Sequence, residues 1–231
     1  MKSLETRTYA DIVTINVDVQ NDFALPTGSL SVHDGESVIE PLNNLNTWTR
    51  EQGGQVIMTQ DYHPPTTAHF AINGGTWPVH CVQETPGAQL HDDLQVNPND
   101  LIVHKGMSLI DDGYSGFEGT IVTGQAEELG LTEFITNRER MVKTTQGRLA
   151  IIIGGLATDF CDKATALDAL SVTDRTTTDI IIVTDGMRAV NLQPGDGDAA
   201  IQAMLDAGAV AMTTQEIING GIFVDSSRLE Q

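Results

Sequence analysis

The chain of 231 residues is short of positive charge: 12 lysines and arginines stand against 32 aspartates and glutamates, a formal net charge of −20. So acidic a surface repels phosphate backbones and argues against a nucleic-acid partner. Long apolar runs are also absent. The longest, such as residues 149–153, fall far below the roughly 20 residues a helix needs to cross a bilayer, and no basic segment followed by an apolar run is found near the N-terminus. Cysteine is scarce as well. Cys81 and Cys161 are too few for a disulfide framework in a chain of this length, which suits a reducing compartment. Hydrophobic residues nevertheless make up 40% of the chain, enough to build a core and to exclude disorder. The expectation is one folded domain over residues 1–231, cytoplasmic, without a membrane or nucleic-acid partner.

Short runs rich in valine and isoleucine recur at residues 12–17, 55–59, 101–104, 149–153, 180–183 and 209–212. They are apolar at successive positions, so neither face can meet water, as in a parallel sheet covered by helices on both sides. Helical spacing separates most of them. Residues 37–50 place Val38, Leu42, Leu45 and Trp48 near one stripe, residues 199–207 form a second helix, and a third starts near Thr132. A further helix follows Asp159, where Ala164, Leu167 and Leu170 recur at the helical period. The run 172–179, rich in Thr and Asp, predicts a surface loop. The fold class is α/β: a three-layer, doubly wound domain with a mainly parallel sheet of about six strands.

Ligands of open parallel sheets bind outside the carboxyl ends of the strands. Asp18 follows the first strand, Asp61 and His63 the second, Lys105 the third, and Cys161 lies just beyond the fourth. Singly, each has an ordinary explanation: a turn cap, a solvated charge, a small core residue. Their joint placement points to a site. Cys161 is favoured over Cys81 as nucleophile, because Gly154-Gly155 ends a strand and the next helix starts around Asp159, where free N–H groups and the helix dipole favour a thiolate. His63, His69 and His80 lie close in sequence to Asp61. Such nitrogen and oxygen donors suit an open divalent-metal site, although loop histidines bonded to backbone or water would give the same spacing. His33, His91 and His104 have no comparable neighbours.

These segments resemble the nicotinamidase branch of the isochorismatase-like cysteine hydrolases, over roughly residues 12–218. The resemblance is carried by Asp18-Val19-Gln20-Asn21-Asp22-Phe23, Asp61-Tyr62-His63-Pro64, Trp77-Pro78-Val79-His80-Cys81-Val82, Lys105-Gly106, Tyr114-Ser115-Gly116-Phe117, Gly155-Leu156-Ala157-Thr158-Asp159-Phe160-Cys161 and Ala189-Val190-Asn191-Leu192-Gln193-Pro194. It implies a catalytic triad of Asp18, Lys105 and Cys161, and a divalent metal on Asp61, His63 and His80, with His69 as a further ligand. Zinc is the first choice, and iron or manganese would also suit. It further implies a cis peptide at Leu156-Ala157, oxyanion donors on the backbone of Ala157 and Cys161, and Phe23 and Trp77 as walls for the substrate ring. The implied activity is hydrolysis of nicotinamide to nicotinate and ammonia through a thioester, in NAD salvage, with pyrazinamide-type analogues as further substrates. A homo-oligomer is compatible with it. The alternatives are a metal-free amide or carbamoyl hydrolase of the same superfamily and a catalytically silent binding protein of the same fold. Two departures from the family stand out: Asp162 replaces the usual valine after the nucleophile, and residues 119–148 and 172–179 are longer than the usual connections.

Overall fold

A computed structural model describes residues 7–225. Seven strands form the main sheet: β2 (Asp11–Val17), β3 (Gln55–Asp61), β4 (Leu101–Lys105), β5 (Thr120–Ile121), β6 (Leu149–Leu156), β7 (Thr178–Arg188) and β8 (Val210–Met212). Their order is β5-β4-β3-β2-β6-β7-β8, parallel throughout except for β5, which runs antiparallel to β4 at the edge. Two short strands, β1 (Thr8–Tyr9) and β9 (Phe223–Val224), pair separately. The six expected strands are all present, and the two-residue β5 is the addition.

Alternation explains the layers. In β2, Val13, Ile15 and Val17 face one cluster, shared with Leu131, Ile135 and Val142 of α3 (Leu131–Thr144) and Ala166, Ala169 and Leu170 of α4 (Lys163–Val172). Met204 of α5 (Asp196–Ala207) joins the same cluster. Ile12 faces the opposite cluster, with Leu42 and Leu45 of α2 (Ile39–Glu51) and Ile217 beyond α6 (Thr214–Glu216). A four-residue helix, α1 (Asn21–Ala24), follows β2. All seven residues of β2 and all eight of β6 are buried; β6 is apolar throughout, while β2 buries Asp11, Thr14 and Asn16 among its apolar residues.

Several local expectations are corrected. The buried stripe of α4 is Thr165, Ala166, Ala169 and Leu170; Leu170 is buried as expected, whereas Ala164 and Leu167 are only partly so. The run 172–179 is not simply a surface loop. Thr178 is buried at the start of β7, and its hydroxyl donates to Glu139 of α3 at 2.6 Å, while the Asp174 N–H reaches the same carboxylate at 2.7 Å. Those polar residues satisfy a carboxylate that α3 buries.

Gly154 and Gly155 lie inside β6, rather than ending it. Gly155 pairs with Val17 immediately before Asp18 and has φ +144°, and a Cβ there would sit 2.0 Å from the Val17 carbonyl oxygen. Only glycine allows that approach. Gly155→Ala is therefore expected to destabilise the protein by about 3 kcal/mol, by forcing β2 and β6 apart. Urea unfolding checks this, and a variant within about 0.5 kcal/mol of the parent would contradict it.

Candidate active site

The strand order brings the predicted residues together. Asp61 and Lys105 are the last residues of β3 and β4 and are register partners; Asp18 directly follows β2; Cys161 sits in the turn Thr158–Asp162 that joins β6 to α4. Four consecutive strands of the sheet thus release one reactive side chain each at the same edge. Asp18 has φ +50°, a conformation uncommon outside glycine. It is held there by Thr59, whose backbone oxygen accepts the Asp18 N–H at 3.2 Å and whose hydroxyl donates to Asp18 Oδ1 at 2.6 Å.

Lys105 is 1% exposed and sits at the centre. Its Nζ lies 2.7 Å from Asp18 Oδ2 and 3.5 Å from Cys161 Sγ, and donates to Asp61 Oδ1 and the Gly113 carbonyl. Atoms of Asp18, Asp61 and Cys161 lie within 4.8 Å of one another. Burial pushes the Asp18 carboxyl up to about 6, against the pull of Lys105. At Asp61, burial acts in the same direction, but Lys105, His63 and His80 outweigh it and hold the carboxyl below its usual range. Burial also works against the Lys105 ammonium, yet Asp18 and Asp61 keep it charged well above its ordinary pKa.

The helix-start position of Cys161 alone predicts a thiolate, and the structure corrects that. Burial, reinforced by Asp18 and Asp61, overcomes Lys105 and raises the thiol well above its usual pKa. The resting centre holds a neutral thiol beside a carboxylate, so a nucleophilic role for Cys161 would need a base acting with it. Cys81 is also a buried free thiol, raised by burial, but it does not line the pocket that Cys161 enters.

His63, His69 and His80 each offer a nitrogen within 4.8 Å of the others. His63 Nδ1 is 3.0 Å from the Gly106 carbonyl and His80 Nδ1 is 2.7 Å from the Pro78 carbonyl. Carbonyls only accept, so a neutral ring at either position carries its proton on Nδ1 and leaves the Nε2 lone pair free. His63 Nε2 is buried with no hydrogen-bond partner. Asp61 Oδ2 stands 3.6 Å from that nitrogen and 3.9 Å from His80 Nε2. Burial, with His63 and His80 nearby, pushes His69 down to about 4, which keeps it neutral. Unprotonated imidazole nitrogens beside a carboxylate, with outer carbonyls fixing the tautomers, are the donor set a divalent ion requires.

A pocket of about 370 Å³, counted with its open mouth, reaches both groups. Phe23 and Trp77 line it, and so do Ala157, the second residue of the cis peptide Leu156-Ala157, and Cys161. Tyr114, Phe160 and Val190, which have no expected role from the sequence although all three lie in the segments that carry the resemblance, also line the pocket. Trp77 Nε1 donates to Tyr114 Oη at 2.9 Å, and the Trp77 and Phe160 rings meet edge to face at 4.9 Å. His104 is stacked on Tyr62 instead, and His33 and His91 pair with Asp34 and Glu36.

The Isochorismatase domain family matches residues 13–216 of the chain. The nicotinamidase of Escherichia coli (strain K12) is 35% identical over 212 residues, covering 85% of this chain and 92% of that protein. Among solved structures, the pyrazinamidase of Pyrococcus horikoshii in complex with zinc shares 29% identity at a TM-score of 0.70, over 87% of this chain and 98% of its own. PnC1 from L. infantum in complex with nicotinate has the same TM-score of 0.70 at 28% identity, over 95% of this chain and 98% of its own.

Asp162 remains the anomaly. It is fully buried, and neither carboxyl oxygen has a hydrogen-bond partner. Burial, with Asp18 and Asp159 nearby, raises its pKa well above the ordinary value, so the group stays neutral and does not oppose Cys161. The unfolded chain loses this proton near pH 4 while the folded one keeps it, so the residue's contribution to stability declines as pH rises above 4. Asp162→Val is expected to stabilise the fold by about 1–3 kcal/mol at pH 8, and by less at pH 4. Urea unfolding at the two pH values measures both, and a destabilised variant at pH 8 would refute this account of Asp162.

Proposed function

The chain belongs to the isochorismatase family, and on that premise we propose that it acts as a nicotinamidase, converting nicotinamide to nicotinate and ammonia through a thioester on Cys161. The observation that carries this reading is the junction of two groups in one aromatic-walled pocket: the Asp18, Lys105 and Cys161 cluster and the three imidazoles with Asp61.

Each step has a group suited to it. Asp18, with its carboxyl near 6, is ionised at neutral pH and basic enough to take the Cys161 proton as the sulfur attacks the amide carbon. The backbone N–H groups of Ala157 and Cys161 receive the developing oxyanion. Collapse breaks the C–N bond, Asp18 returns its proton to the departing nitrogen, and ammonia leaves. Water then adds to the thioester, its proton passes to Asp18, and the carboxylic acid leaves as the thiol is re-formed. Lys105 steadies both Asp18 and the transient thiolate, at 2.7 and 3.5 Å. Asp61, His63, His69 and His80 would hold the divalent ion, zinc first, which supplies a Lewis-acid anchor for the pyridine nitrogen. Phe23, Trp77, Tyr114 and Phe160 close on the ring faces and exclude water.

The unpartnered His63 Nε2 favours this over a metal-free amide or carbamoyl hydrolase, in which that buried nitrogen would have no purpose. The intact triad favours it over a silent binding protein. We read the reaction as a step of NAD salvage in the cytoplasm, with pyrazinamide-type amides as alternative substrates. In the test, reduced, zinc-supplied protein releases ammonia from nicotinamide, and Cys161→Ala lowers kcat by roughly 10⁴-fold or more. Absence of ammonia from the folded parent protein would end the proposal.

A further inference from the structure

The ligand side chains need a backbone fixed beneath them, and at Asp61 the main sheet supplies it from one side only, where Asp61 is the register partner of Lys105 in β4. The pairing of β2 with β3 ends at Asn16 and Met58, three residues before Asp61. On the other side of Asp61 a side chain takes the place of β2. Gln20, fully buried, donates from Nε2 to the Asp61 carbonyl at 2.8 Å, and its Oε1 accepts the Asp61 N–H at 2.8 Å. The same Nε2 also donates to the Ala88 carbonyl at 2.8 Å, which ties the clamp to the loop behind it. Two residues later, Asp22 Oδ2 accepts the Cys81 N–H at 2.7 Å, and its other oxygen accepts the Ser29 N–H at 3.2 Å. Cys81 has φ +44° and directly follows His80. A Cβ on Gly87 would lie 2.1 Å from Asp22 Oδ2, so glycine there leaves room for this carboxylate.

We propose that Gln20, with Asp22, is a positioning residue for the ion-holding set: one amide fixes the peptide that carries Asp61, and one carboxylate fixes the peptide next to His80. The inference rests on the reading of Asp61, His63, His69 and His80 as ligands. Neither residue touches the ion or the substrate; each acts through the backbone of a ligand. Loss of such an outer partner typically weakens metal binding 10–100-fold.

Gln20→Glu keeps the shape and one acceptor but removes both donated N–H groups. Asp22→Ala removes the contact beside His80. Zinc affinity is measured by competition with a chromogenic chelator on variants whose folding is checked by circular dichroism, and thermal unfolding of the zinc-free proteins is recorded alongside. The expected result is a zinc Kd raised roughly 10–100-fold in Gln20→Glu, and raised in Asp22→Ala, with faster zinc release. A purely structural role lowers the unfolding temperature and leaves the Kd of the folded protein unchanged, and that outcome overturns the proposal. Should Gln20→Glu fail to fold, Asp22→Ala decides by the same criterion. A parent protein that takes up no zinc overturns the ion-holding reading itself, whereas a zinc-binding parent with equally zinc-binding variants overturns the clamp alone.

Discussion

An ammonium withdrawn from water is stable only among opposite charges, and Lys105 is held between Asp18 and Asp61. Almost everything in the site depends on that arrangement. Lys105 closes β4, Asp61 closes β3 and Asp18 follows β2, so the neighbouring order of these three strands is what brings the charges together. The next strand, β6, delivers Cys161 to the same ammonium, with Gly155 allowing β6 to approach β2 just before the turn. The parallel sheet is therefore the means by which one lysine meets two carboxylates and a thiol.

The same cluster divides labour between its two carboxylates. Both are buried and both face Lys105, but Asp61 also faces His63 and His80, and Asp18 does not. Asp61 is consequently fixed as an anion, the state an ion ligand requires, while Asp18 is left basic enough to exchange a proton near neutrality. Burial keeps Cys161 as a thiol, whose proton Asp18 would take in the proposed reaction. Separation of the two pKa values by environment suits one residue to the role of ligand and the other to that of acid and base in the proposed reaction.

The sheet was readable because residues 149–153 and 180–183 are apolar at every position and residues 12–17 at all but Thr14 and Asn16, a density that suits strands buried on both faces. The two-residue β5 carries no such pattern, since an edge strand this short is defined by its partner β4. Asp18, Asp61, Lys105 and Cys161 were legible because each lies at or just beyond a strand exit, and the histidines because they cluster in sequence. The protonation of Cys161 was not legible: it depends on complete burial, which no local sequence signal reports. Gln20 shows the same limit. Its motif position is plain, but its task exists only where β2 has parted from β3 and Asp61 needs a substitute for a strand. Tyr114 and Phe160 likewise become pocket walls only when Trp77 is brought against them.

In the proposed reaction Cys161, activated by Asp18 and held by Lys105, forms the covalent bond. The most direct test is mass spectrometry of protein quenched in acid during steady turnover of nicotinamide, followed by peptide mapping. A nicotinoyl group is expected on Cys161, present during turnover and gone once substrate is exhausted. Turnover accompanied by an acyl group on Cys81 instead, with Cys161 unmodified throughout, would contradict it.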